Sequence, residues 1–236
     1  MKTLSTFAFA GLLLLLAGPA SATNCTQKRA LEFFSYDTAG ILWQNQRQDS
    51  PLDSGKQRIM VHVLFQDGVE PYDYAGAIAE CTGIENKLVG QVRNLSFDFL
   101  NTSSQPVHIG GGSPRYSVEI DSDNDGVADT VAFMAAVHCD APLVEDPEWS
   151  RADFTGRVTA GCSIFVGAEQ FTSDGSSSAW SLMATAHPTW KVKQAYLLVD
   201  EDGTTFVDRL AFHNRMFTGP GTGSAGIKNC GSEAVC

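Results

Sequence analysis

The chain has 236 residues, of which 43% are apolar and 18% charged, and a formal net charge of -11. This composition supports a buried core and is not that of a disordered tail. The acidic excess repels phosphate backbones and anionic lipid, so it argues against nucleic acid and membrane partners and favours cations.

At the N-terminus, Lys2 precedes an apolar run from Phe7 to Leu16, and Gly18-Pro19 leads into the small-x-small sequence Ala20-Ser21-Ala22. That order predicts a secretory signal peptide over residues 1–22 and a mature chain starting near Thr23. The run is too short to span a bilayer, and no later stretch reaches the ~20 apolar residues of a membrane helix. No Cys stands directly after the cleavage position to carry a lipid, so a secreted, extracellular product without a membrane anchor is expected. What remains after the signal suits a single domain over 23–236.

Strands dominate the rest. Residues 58–65 are rich in β-branched and apolar side chains, and Asp67-Gly68 marks a turn beyond them. A short helix is expected near Tyr74–Cys81. Leu95–Leu100 alternates apolar and polar positions, as a half-buried strand does. Tyr116–Ile120 and Thr130–Phe133 flank an Asp-rich turn and form a hairpin. Further strands are predicted over 157–159, 163–166, 195–199 and 206–212. The main helix is Ala179–Ala186, with the cap-forming serines 176–178 before it and His187-Pro188 after it. Many short strands joined by Gly- and Ser-rich connections predict a mostly all-β fold: an antiparallel β-sandwich, jelly-roll-like, with one or two short helices. Residues 197–212 repeat the layout of 118–133, an apolar strand, an acidic turn, an Asp and an apolar strand. Two copies are too few for a solenoid, so they are expected to be two hairpins of one sandwich.

All six cysteines follow the cleavage position. An even count in an exported chain predicts three disulfides, and pairing Cys139 with Cys162, Cys230 with Cys236 and Cys25 with Cys81 closes loops without crossing. The tight C-x-x-C spacing of a zinc site is absent. Asn24, Asn94 and Asn101 begin glycosylation sequons that matter if the host glycosylates.

The strongest chemical signal is Asp121, Asp123 and Asp125 at alternate positions, followed by Gly126 and Asp129. Calcium takes six to eight oxygens; carboxylates at this spacing converge on one ion while Gly permits the bend. The Val127 carbonyl is the expected fourth oxygen, and Asp129 a direct or water-mediated ligand. Four carboxylates this close repel one another without a cation. The loop resembles the D-x-D-x-D-G loops of EF-hands, dockerins and thrombospondin type 3 repeats over about a dozen residues. Its twelfth position is Ala132 where an EF-hand has a bidentate Glu, so the expectation is a structural Ca²⁺ held between strands and not an EF-hand. Asp200, Asp202 and Asp208 in the second copy are expected to be an ordinary polar turn.

Catalytic signals are weaker. The five histidines form no H-x-x-x-H or H-E-x-x-H pair, there is no Gly-x-Ser-x-Gly, and residues 110–114 lack the Gly-Lys-Ser/Thr of a phosphate loop. Glu119, Asp98 and Glu169 are the carboxylates to inspect for a hydrolase, although a half-exposed sheet puts polar residues at such places anyway. Trp149, Tyr72 and Tyr74 fall in or near predicted loops, where a ring can stack on a sugar; Trp180 on the helix is expected in the core. Exported sandwiches with a calcium-fixed loop resemble carbohydrate-binding modules. The leading expectation is therefore a secreted calcium-binding sandwich with a non-catalytic role, binding an extracellular glycan or matrix component. A secreted hydrolase or isomerase using carboxylates and histidines in a cleft, and a structural surface protein, are the alternatives.

Overall fold

The computed structural model describes residues 31–36, 39–45, 57–63, 74–79, 82–100, 113–142, 149–200, 203–217 and 227–229. The predicted signal peptide, Tyr72, Asp202 and the cysteines 25, 81, 230 and 236 lie outside them. In chain order the strands are β1 (Leu31–Tyr36), β2 (Gly40–Asn45), β3 (Gln57–Val63), β4 (Tyr74–Ala79), β5 (Lys87–Leu88), β6 (Leu95–Leu100), β7 (Arg115–Asp121) and β8 (Thr130–Ala135). They continue with β9 (Asp140–Pro142), β10 (Trp149–Asp153), β11 (Ser163–Val166), β12 (Glu169–Thr172), β13 (Lys191–Val199), β14 (Gly203–Phe212), β15 (Arg215–Phe217) and β16 (Ile227–Asn229). A single α-helix among the described residues, α1, spans Ala179–Ala186.

These strands form two sheets packed as a β-sandwich. The first runs β12-β11-β8-β7-β13-β4-β1-β16, with β5 also on β13; the second runs β2-β3-β14-β6-β10-β9, with β15 also on β14. Pairing is antiparallel except for β1 with β16. Finer connectivity, the expected jelly roll included, does not follow from this order.

Alternation explains which face of each strand turns inward. On β7, Tyr116, Val118 and Ile120 are fully buried in the core, opposite Phe97 and Phe99 of β6 in the other sheet. The Tyr116 hydroxyl lies 3.0 Å from the Ser96 carbonyl and 3.1 Å from that of Ala211, so its single O–H spans from one sheet to the other. Burial pushes the phenol pKa well above its usual value. On β6 both faces are covered, unlike the half-exposed strand expected: outward-facing Asp98 is 2% exposed. Its carboxylate accepts bonds from Arg151 Nε at 2.6 Å and Nη2 at 3.1 Å, and Arg209 Nε lies at 3.6 Å.

Three local expectations are corrected. Residues 74–79 form a strand and not a helix, because the Ala- and Gly-rich β4 is wedged between β1 and β13; a Cβ on Gly76 would overlap the Phe34 ring and the Leu197 carbonyl. Residues 157–159 are not a strand but a turn region, where Arg157 donates to the Cys139 carbonyl at 2.8 Å. The second acidic turn is not a hairpin: β13 belongs to the first sheet and β14 to the second, so the chain changes layers after Asp200. There Arg115 clasps Asp200 through both guanidinium nitrogens, at 2.6 and 2.5 Å.

The expected Cys139–Cys162 disulfide is present and ties the residue before β9 to the residue before β11. The predicted helix is also found, at the predicted residues. Ser178 Oγ caps it by accepting from Ser181 N at 3.2 Å, and buried Trp180 donates its indole N–H to the Val89 carbonyl at 2.8 Å. That bond fixes the short 3₁₀ turn Val89–Gln91, which leads from β5 toward β6.

Candidate metal centre

The β7–β8 hairpin is the local consequence of two alternating apolar runs broken by Asp, Asn and Gly. Asn124 and Gly126 take positive φ values of 66° and 97°, the conformation that Asn and Gly accept most readily. Ladder pairing ends at Ile120 with Thr130, and Asp129 N donates back to the Ile120 carbonyl at 3.0 Å, which closes the neck of the loop.

Within that loop Asp121, Asp123 and Asp129 bring a carboxylate oxygen each to within 4.8 Å of one another. Asp121, the last residue of β7, is 1% exposed, whereas Asp123 and Asp129 face solvent. One Asp121 oxygen, Oδ2, accepts from Gly126 N at 3.0 Å; the other, Oδ1, is buried and has no hydrogen-bond partner. Leaving a buried acceptor unmatched costs about 1–3 kcal/mol, more if charged. Asp123 Oδ1 accepts from Asp125 N at 3.1 Å, and Asp129 accepts from Ser122 N and Ser122 Oγ.

Of the four expected carboxylate ligands, then, three converge. Asp125 is not among them; its Oδ1 accepts the Val127 N–H at 2.8 Å. The Val127 side chain is 65% exposed on the loop crest. Ser122, missed in the sequence, orients Asp129; its place between two Asp residues was the available signal. In the second copy no such group forms among the described residues: Asp200 is paired with Arg115, and Asp208 is buried on β14 directly across from Asp98.

The carboxylates considered for catalysis are dispersed. Asp98 is engaged by two arginines. Glu119 is half-buried on β7, and burial raises its pKa. Glu169 sits at the outer β12 edge, 3.0 Å from His187 Nε2, and the His187 ring stacks on Trp190 at 3.6 Å between centroids. That pair joins sequence-distant candidates, yet its contacts fasten the end of α1 to β12, and no Ser, Thr or Cys nucleophile is hydrogen-bonded to His187 among the described residues.

The aromatic expectations change as well. Trp149 is not an exposed loop ring: it opens β10, pairs with Leu100 and is 5% exposed. Tyr74 is half-buried at the start of β4, its ring 6.3 Å from that of Phe34 in an edge-on contact. Tyr72 lies outside the described residues.

Comparison with known proteins gives no matching family, no similar curated protein and no similar solved structure.

Proposed function

We propose that this protein is an exported calcium-binding β-sandwich with a non-catalytic binding role, in which Ca²⁺ staples the β7–β8 loop. The observation that carries the proposal is the buried, unpartnered Oδ1 of Asp121, a residue whose carboxylate forms one group with those of Asp123 and Asp129. A hard divalent cation satisfies that oxygen, offsets two of the three carboxylate charges and completes its shell with water and loop carbonyls, as calcium does readily. By binding only the folded chain it raises stability by about 2.7 kcal/mol when present at a hundred times its dissociation constant.

The ligand class we assign is an extracellular glycan or matrix component. With Trp149 buried, the support for it moves to the outer face of the first sheet. There Phe165 and Phe133 lie side by side across β11 and β8, while Ser117 and Tyr196, next in the same row on β7 and β13, are buried. Phe133 is 43% exposed, with the Arg115 guanidinium 5.6 Å from its ring centre. An exposed ring beside a half-buried one, with an arginine at hand, suits a sugar, which needs both stacking and hydrogen bonds.

Thermal unfolding in excess EGTA and in excess Ca²⁺ tests the ion. The melting temperature is expected to rise by roughly 5–10 °C with calcium, given ~2–4 °C per kcal/mol at this size. The rise is expected to vanish in Asp121→Asn and Asp123→Asn and to persist in Asp125→Asn. No calcium shift in the unaltered protein sinks the metal site. Glycan-array binding by the calcium-loaded protein, lost in Phe133→Ala, checks the second half; equal binding by that variant removes the platform.

A further inference from the structure

A second feature of the structure is independent of the acidic loop. The protein is strongly acidic, yet one cavity of about 430 Å³ is lined by Lys87, Gly90, Gln91, Arg93, His213 and Asn214. Lys87 comes from β5, Gly90 and Gln91 from the 3₁₀ turn, Arg93 from the link to β6, and His213 and Asn214 from the turn between β14 and β15. The cavity therefore opens where the two sheets part at one end of the sandwich. Not one carboxylate of the described residues lines it.

In a chain with 27 acidic against 16 basic residues, cations normally find acidic partners, as Arg115, Arg151 and Arg209 do here. Lys87 and Arg93 make no ion pair with any described residue. The nearby carboxylate, Glu85, is committed to the backbone: its two oxygens accept from Thr82 N at 3.2 Å and Gly83 N at 3.0 Å. Lys193, on the neighbouring strand, is held by Asn86 at 2.8 Å.

The neutral groups are preset as donors. His213 is held at φ 55° by its own N–H, which donates to the Asn94 carbonyl at 2.6 Å. Its Nδ1 accepts from Arg93 N at 3.2 Å, which places the proton of the neutral ring on Nε2. Burial and the charges of Lys87 and Arg93 lower its pKa, with Glu85 opposing them, so the ring is neutral near pH 7 and still donates. Gln91 Oε1 accepts from Leu88 N at 3.3 Å, leaving its amide NH₂ as the free end. The floor is rigid because Trp180 holds Val89 from behind, and Val89 N donates to the Trp190 carbonyl at 2.9 Å.

We propose that this cavity binds a small organic molecule through an anionic oxygen group, a carboxylate, sulfate or phosphate. Lys87 and Arg93 supply the charge, and His213 Nε2–H and the amides of Gln91 and Asn214 supply directed hydrogen bonds. Arginine and lysine recognise such groups through charge-assisted bonds roughly twice as strong as neutral ones. The volume lies within the ~300–1,000 Å³ range of small-molecule sites, which leaves room for a ring behind the anionic group. The site does not depend on the calcium reading.

The test is calorimetric titration of the full chain with inorganic sulfate, inorganic phosphate and glucuronate, against sodium chloride at matched ionic strength. Saturable binding of at least one oxyanion but not of chloride is expected. Lys87→Gln/Arg93→Gln should weaken it about tenfold or more, since a hydrogen bond to a charged group contributes ~1.5–3 kcal/mol. Arg93→Lys, which keeps the charge, should retain most of it. Tight glucuronate with weak sulfate and phosphate identifies a carboxylate ligand, and the reverse order a tetrahedral oxyanion. Chloride competing equally, or undiminished binding by a double variant whose circular dichroism is unchanged, overturns the proposal. Should the double variant fail to fold, Arg93→Gln alone, on the exposed rim, decides on the same criterion.

Discussion

Tyr116→Phe is expected to destabilise the protein by about 1–2 kcal/mol and Tyr116→Ala by about 3–5 kcal/mol, measured by urea unfolding. The two substitutions separate two contributions. Phenylalanine keeps the ring among Phe97, Phe154 and Phe212, whose centroids lie 5.1, 6.1 and 4.9 Å away. It removes only the hydroxyl that reaches the Ser96 and Ala211 carbonyls, leaving buried acceptors on the opposite sheet without that donor. Alanine also empties the ring's volume in a close-packed core, the costliest kind of truncation. The hydroxyl serves a specific irregularity, since the β6–β14 register shifts between Asp208 and Ala211. A Phe variant as stable as the parent would mean that the hydroxyl does not tie the sheets together.

The second large effect is expected at Asp98. Removing its carboxylate in Asp98→Ala leaves Arg151 and Arg209 facing each other across β6 with no counter-charge from it. A fully buried pair broken in this way costs about 3–5 kcal/mol. Both arginines retain 31% side-chain exposure, so water recovers part of that, and about 2–4 kcal/mol is the expected loss. Asp98→Asn keeps the shape and one acceptor and should cost less. If chemical denaturation shows both variants within about 0.5 kcal/mol of the parent, as for an ordinary surface substitution, solvent already screens this cluster and its burial is incidental.

What the sequence disclosed follows the range of the forces involved. The β7–β8 hairpin, the helix with its Ser178 cap and the Cys139–Cys162 link each depend on residues near one another in the chain, and each was legible. β4 was not: Tyr-Ala-Gly-Ala-Ile-Ala favours a helix locally, and only the neighbouring β1 and β13 make it extended. Trp149 follows Asp-Pro-Glu, a loop signal, but its pairing with Leu100 takes it into the sheet. In the acidic loop the spacing identified the cluster, while the burial of Asp121 and the placing of Asp125 apart from the group are set by the folded loop. The basic cavity had no signature at all, because Lys87 and His213 are brought together across more than half of the chain.

The parallel pair of β1 and β16 has a consequence for how the fold is reached. Phe33 is in register with Ile227, from near the other end of the sequence, and closing so long a loop costs entropy before the contact returns anything. Contacts of this kind slow folding. Until β16 docks, β1 keeps one row of backbone donors and acceptors open, and an open strand edge is a template for a second chain. The partly folded protein is therefore most prone to associate with its neighbours at the outer edge of β1, and the arrival of residues 227–229 covers that edge from Phe33 to Ser35.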